Sequence, residues 1–174
     1  IDFRQRKINT SMSHQDLLKR IKDHSAVIGV IGMGYVGLPL VITFADEGFA
    51  VIGLDVDPDK VASLNDGTSY IRHIPSDSFS QHVANGRLIA TADFTALAGV
   101  DAILICVPTP LTGSREPDLS FVESTAQMIA PHLKVGHLVI LESTTYPGCT
   151  ESLLKPILER SGLRSGNDFY LAYS

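Results

Sequence analysis

Gly32-Met33-Gly34-Tyr35-Val36-Gly37 and, some twenty residues on, Asp55 are the residues of this 174-residue chain whose types and spacing could hold a ligand. Each glycine has a separate job. Gly32 permits a tight turn, Gly34 leaves room for a pyrophosphate to approach the backbone, and Gly37 lets the next element lie close on a sheet. A helix opening at this point offers free N–H groups and a partial positive charge to phosphates. Asp55 stands where a carboxylate can accept hydrogen bonds from an adenosine ribose. The chemistry these residues could do is dinucleotide binding.

A bare G-x-G-x-x-G is weak by itself, and its flanks supply the specificity. Val27–Ile31 reads as a buried strand before the turn and Leu38–Ala45 as an apolar helix after it. Val51–Leu54 is a second strand that ends on Asp55. Asp55-Val56-Asp57-Pro58-Asp59 gathers three carboxylates, with Lys60 as the nearby cation. A 2′-phosphate about 5 Å from one such charge is repelled by roughly 3 kcal/mol at an effective dielectric near 20. NAD is therefore expected over NADP. FAD and S-adenosylmethionine also use an acid here, so Asp55 leaves both open.

These residues need a scaffold, and the rest of the chain reads as one. A short amphipathic helix is expected over 13–24, a helix over 58–65, one capped by Ser76 and running to Asn85, and strands at 88–91, 102–107 and 138–141. Asp118 is expected to cap a helix through Leu133, and 149–161 is expected to be helical with a bend at Pro156. Phe169–Tyr173 is a last strand-like run. Continuous apolar strands signal a sheet covered on both faces. The fold class is thus α/β, a doubly wound parallel Rossmann sheet in order 3-2-1-4-5-6. Residues 1–25 form an extension and 26–174 one domain. Ligands in such sheets sit beyond the carboxyl ends of the strands, so the loops after strands one, two, four and five face one crevice. Pro108 and Pro110 stiffen the fourth-strand loop around Thr109, and Ser143-Thr144-Thr145 places three hydroxyls after the fifth.

Bulk properties exclude several classes. A net charge of −5 with no basic cluster argues against a nucleic-acid surface. No apolar run approaches a membrane span, and no secretory core opens the chain, so a cytoplasmic protein is the default. Cys106 and Cys149 give no disulfide framework. Cys106 reads as a small core hydrophobe, and Cys149 as a cap-position residue at a helix start that could lower its pKa. No metal site is expected; His132 and His137, the one suggestive pair, read as solvated loop residues. Both ends look interrupted: Ile1 is not methionine, and Ser174 directly follows a strand.

Gly32–Pro39, Cys106-Val107-Pro108-Thr109-Pro110 and Glu142-Ser143-Thr144-Thr145-Tyr146-Pro147-Gly148 together resemble the NAD-binding half of the UDP-glucose/GDP-mannose dehydrogenase family. The resemblance covers about residues 26–174. It implies oxidation of the C6 alcohol of a nucleotide sugar to a carboxylate with two NAD per turnover. It also implies that Gly32, Met33, Gly34, Tyr35, Val36 and Gly37 wrap the pyrophosphate, and that Asp55 and Lys60 attend the ribose. Val107, Pro108, Thr109, Pro110 and Leu111 would line the cofactor together with Ser143 and Thr145, while Thr144 would assist near the nicotinamide and a catalytic water. Ser69–Pro75 and Arg115–Asp118 resemble the branch acting on UDP-N-acetylglucosamine or related N-acetylhexosamines, in envelope polysaccharide, capsule or lipopolysaccharide synthesis. The family's nucleophilic cysteine, which forms a thiohemiacetal, lies beyond this chain, as do its lysine and asparagine and its dimerising helical region. The expectation is a cofactor domain that binds NAD without turning over, with oligomers formed only by a longer protein. Rival readings are a UDP-glucose or GDP-mannose enzyme, a hydroxyacid dehydrogenase cofactor domain, and a non-catalytic NAD-sensing module.

Overall fold

The computed structural model describes residues 13–113 and 115–174. Six parallel strands form one sheet: β1 (Val27–Ile31), β2 (Ala50–Leu54), β3 (Leu88–Thr91), β4 (Ala102–Ile105), β5 (Leu138–Leu141) and β6 (Tyr170–Tyr173). Their order is β3-β2-β1-β4-β5-β6, as expected. Alternate residues of the central strands serve opposite layers. Ile31, Ile103, Ile105 and Leu141 pack with Val122 and Ile129 of α5 (Ser120–Ile129) and with Ile157 of α6 (Lys155–Leu158). Ile28, Val30, Val51 and Leu104 pack with Leu38 and Val41 of α2 (Gly37–Asp46) and with Leu64 of α3 (Pro58–Asn65). Each such side chain contributes about 1.5–3 kcal/mol of transfer free energy, so neither layer is optional.

The N-terminal helix is α1 (His14–Lys22), closed by a capping box. The Ser13 hydroxyl accepts from the Asp16 N–H, and the Asp16 carboxylate accepts from the Ser13 N–H. Leu17 is buried, and Arg20 reaches Asp101 at the amino end of β4 with N–O 2.7 Å. Residues 1–12, within the expected extension, lie outside the described residues.

Several boundaries differ from expectation for identifiable reasons. The helix expected from Ser76 breaks at Phe79, whose φ is −138°, into a 3-10 turn and the short α4 (Ser80–Ala84). Ser76 is not its cap; its hydroxyl accepts from the Ser69 N–H at 3.0 Å. β4 ends at Ile105, and Cys106 and Val107 open the loop. Asp118 accepts from the Ser120 N–H at 2.9 Å, but Leu119 occupies the cap position of α5. That helix gives way to a 3-10 turn at Ala130–His132, because Pro131 has no N–H to continue it. Near the C-terminus the disturbance precedes Pro156. Thr150–Leu154 forms a π turn, whose wider bonding accommodates a ring that would strike the Ser152 carbonyl.

His137 overturns its expected exposure. It is fully buried, its Nε2 donating to the Val100 carbonyl at 3.1 Å and its Nδ1 accepting from the Lys134 N–H at 3.2 Å. Burial foremost, then the Lys134 charge, depresses its pKa from 6.5 to about 3. Its folded pKa lies below its unfolded one, so stability is complete above pH 6.5 and declines as pH falls from 6.5 toward about 3. Urea unfolding across that range should therefore show a pH slope that His137→Gln flattens. An unchanged slope would mean the imidazole is not held neutral.

Candidate functional site

The glycine loop is built from contacts only glycine permits at two of its positions. Gly32 has φ +91°, and a Cβ there would lie 2.8 Å from the Cys106 carbonyl oxygen. At Gly37 a Cβ would lie 1.9 Å from the Gly32 carbonyl oxygen, so the start of α2 is pressed against the loop's own backbone. Gly34 is different: nothing stands within 4 Å of where its Cβ would be. Close packing explains Gly32 and Gly37, whereas at Gly34 the space is open.

Asp55 closes β2 and faces this loop. It is 7% exposed; its Oδ2 accepts from the Met33 N–H at 2.8 Å and its Oδ1 from the Asp57 N–H at 3.0 Å. Lys60 Nζ lies 3.4 Å from Oδ2, a half-exposed partner worth little against solvent. Asp57 caps α3, accepting from the Asp59 N–H at 3.0 Å. Met33 sends its side chain into the core over Gly53, where a Cβ would meet Met33 Cε at 2.7 Å. α2 opens with neither a capping side chain nor an acid in its first turn, so its terminal charge is not neutralised locally.

A cavity of about 640 Å³ joins the ends of β1, β2, β4 and β5. Of the expected residues, Gly32, Gly34, Tyr35, Val36, Asp55, Lys60, Val107, Pro108, Thr109, Ser143 and Thr144 line it. Met33, Gly37, Pro110, Leu111 and Thr145 do not. Leu111 is carried off the wall because the loop folds back on itself, the Asp118 N–H donating to the Pro110 carbonyl at 2.7 Å. Ser143 is buried and donates its hydroxyl to the Val107 carbonyl at 2.7 Å, so it ties two loops together. Thr144 is exposed at the mouth. The buried Thr145 Oγ1 has no hydrogen-bond partner among the described residues, though it sits near enough to the Cys149 thiol to offset part of that thiol's shift.

Neither cysteine is an activated thiolate. Burial first, then the Glu142 charge, pushes the Cys106 thiol up to about 12. Burial also raises Cys149, which is 1% exposed at a cap position, against the lowering expected at a helix start; only the neighbouring Thr145 hydroxyl works the other way.

One wall of the cavity comes from a helix face. Phe121, Ser124, Thr125 and Met128 of α5 line the cavity, a mixed polar and apolar face that the helix's apolar stripe at Val122, Ala126 and Ile129, turned to the core, does not mark. Ile31, Val56, Asp57, Phe94, Cys106 and Glu142 also line the cavity outside the expected set. Among the described residues no cluster of three or more His, Cys, Asp or Glu could hold a metal ion, and no helix is long and apolar enough to cross a membrane.

The model of the UDP-glucose/GDP-mannose dehydrogenase family, NAD binding domain, matches residues 26–174. The chain belongs to this family. Over 148 residues it is 38% identical to a UDP-N-acetyl-D-mannosamine dehydrogenase of Pyrococcus horikoshii, covering 84% of this chain and 35% of that protein. A UDP-N-acetyl-D-glucosamine 6-dehydrogenase of Pseudomonas aeruginosa is 34% identical over 148 residues, 84% of this chain and 34% of its own length. Among solved structures, an NDP-N-acetyl-D-galactosaminuronic acid dehydrogenase from Methanosarcina mazei Go1 superposes with TM-score 0.81 at 35% identity, over 94% of this chain and 37% of that one. The family chain described here thus spans about a third of the length of these relatives.

Proposed function

We propose that residues 26–174 are the cofactor unit, and residues 1–25 an extension, of a cytoplasmic enzyme. Its reaction is oxidation of the C6 alcohol of a UDP-N-acetylhexosamine, of the N-acetylmannosamine or N-acetylglucosamine kind, to the uronic acid for envelope polysaccharide. One observation carries the cofactor half of this reading: the buried Asp55 carboxylate and the uncapped start of α2 meet across a cavity that is open at Gly34. The residues fit NAD. Asp55 would hold the ribose hydroxyls, with Lys60 moderating its charge. Gly32, Gly34, Tyr35 and Val36 would present backbone to the diphosphate, and Met33 and Gly37 would shape that backbone from behind. Val107, Pro108 and Thr109 would face the rest of the cofactor, with Ser143 fastening their loop. Thr144, at the mouth, would orient a water or the substrate alcohol. When bound, NAD supplies the hydride acceptor.

The N-acetylhexosamine preference is supported by the names of the relatives and by Ser69–Pro75 and Arg115–Asp118. Calorimetric titration of the chain should give NAD binding at least about tenfold tighter than NADP, given the carboxylates at the ribose end. Tighter NADP binding would defeat the cofactor assignment. For the substrate, the complete gene product should reduce NAD with UDP-N-acetylhexosamines in preference to UDP-glucose or GDP-mannose. Turnover of short hydroxyacids instead, or of nothing, would favour the rival readings.

A further inference from the structure

Ser69–Pro75 lies between α3 and the 3-10 turn at Ser76–Ser78, and belongs to none of the strand-end loops. It nevertheless meets the glycine loop at Met33 and Tyr35. The half-buried Tyr70 donates its phenol to the Met33 carbonyl. His73 sets its ring against that of Tyr35, with centroids 5.9 Å apart and planes tilted by 31°. Ile71, 5% exposed, anchors the segment in the core.

Met33 is therefore tied on both sides, its N–H to Asp55 and its C=O to Tyr70. The second tie matters because the Met33 carbonyl and the Gly34 N–H belong to one planar trans peptide and point in opposite directions. Gly34 has no side chain to bias that peptide against flipping. Gly34 lines the cavity and Tyr70 does not. A carbonyl drawn toward Tyr70 thus turns the Gly34 N–H away from it.

We propose that Tyr70 is a positioning residue for the cofactor's diphosphate: its phenol locks the Met33–Gly34 peptide so that the Gly34 N–H is presented to the bound anion. This rests on the dinucleotide reading of the same cavity. Desolvation, then the charges of Asp55 and Asp57, keeps the phenol protonated and so a donor.

Tyr70→Phe keeps the ring and removes the hydroxyl. NAD, ADP-ribose and adenosine are titrated into the chain and into Y70F, by calorimetry for the first two and ligand-observed NMR for the third, with thermal melts alongside. NAD and ADP-ribose should weaken about fivefold to tenfold, the worth of one organised hydrogen bond, while adenosine stays within about twofold. An equal change across all three ligands, whether nil or large, overturns the proposal, since a general structural defect does not single out diphosphate. If the unsubstituted chain takes up no NAD, the cofactor reading falls and this one with it. If it binds NAD and Y70F matches it throughout, only the positioning role falls.

Discussion

Asp55→Ala should cost NAD about a hundredfold in affinity and NADP less than about tenfold. A buried carboxylate accepting from a ribose diol contributes roughly 1.5–3 kcal/mol per bond, so removing both bonds costs about 3 kcal/mol even at the lower end of that range, which is the hundredfold expected. NADP starts with the opposite balance, since its 2′-phosphate is repelled by the same charge and gains when that charge goes. The substitution also touches the fold. Asp55 accepts from the Met33 and Asp57 N–H groups, and alanine leaves both donors without it. Water can reach them through the cavity, so the stability loss should be about 1–2 kcal/mol. Asp55→Asn is a sharper probe: an amide has only one accepting oxygen, and its NH₂ must oppose one of those two donors. Calorimetry with both dinucleotides and urea unfolding of both variants measure this. Equal losses for NAD and NADP would remove Asp55 from the ribose.

The parts of this site that were legible in the residues share one property: they are written in local pattern. β1, β3 and β5 are short apolar runs bounded by turn residues, and they appear where those runs are. The glycine spacing, the acid after β2 and the helix between them form one contiguous unit, so one motif located three elements. Strand order followed from the doubly wound alternation of strands and helices with right-handed crossovers. What was not legible depends on residues distant in sequence. Nothing near Tyr70 announces a bond to Met33, 37 residues away. Nothing near His137 reveals that Val100 will accept from its ring; the short turn at Gly136, with φ +88°, folds that ring inward. Ser143 lines the cavity, but its hydroxyl is already engaged by Val107, a contact 36 residues away in sequence. The face of α5 that meets the cavity was likewise not written in local pattern. The apolar spacing of α5 marks only the face it turns to the core, and the neighbouring face that meets the cavity mixes Phe121 and Met128 with Ser124 and Thr125.

The largest stability effect is expected at Gly37, and its contrast with Gly34 separates architecture from binding. An alanine methyl at Gly37 would sit 1.9 Å from the Gly32 carbonyl oxygen, a contact of backbone with backbone that no side-chain rotation relieves. Either the start of α2 moves off the sheet or the loop reopens, and Gly32, with φ +91° and its own close approach to Cys106, has little freedom to follow. A loss above about 3 kcal/mol is expected, or a fall of roughly ten degrees in Tm for a chain of this size. At Gly34 the same methyl meets nothing within 4 Å. Stability of Gly34→Ala should therefore stay within about 1 kcal/mol of the parent. The methyl would instead stand in space left for the diphosphate, and NAD affinity should fall by at least about tenfold, since a displaced phosphate loses charge-assisted bonds to the loop. Thermal melts and NAD titration of the two variants give a crossed result: one folds poorly, and the other folds well and binds poorly. A Gly34→Ala chain that binds NAD as the parent does would show that the open space serves no ligand, and a Gly37→Ala chain that melts normally would show that the tight contact yields more easily than its geometry implies.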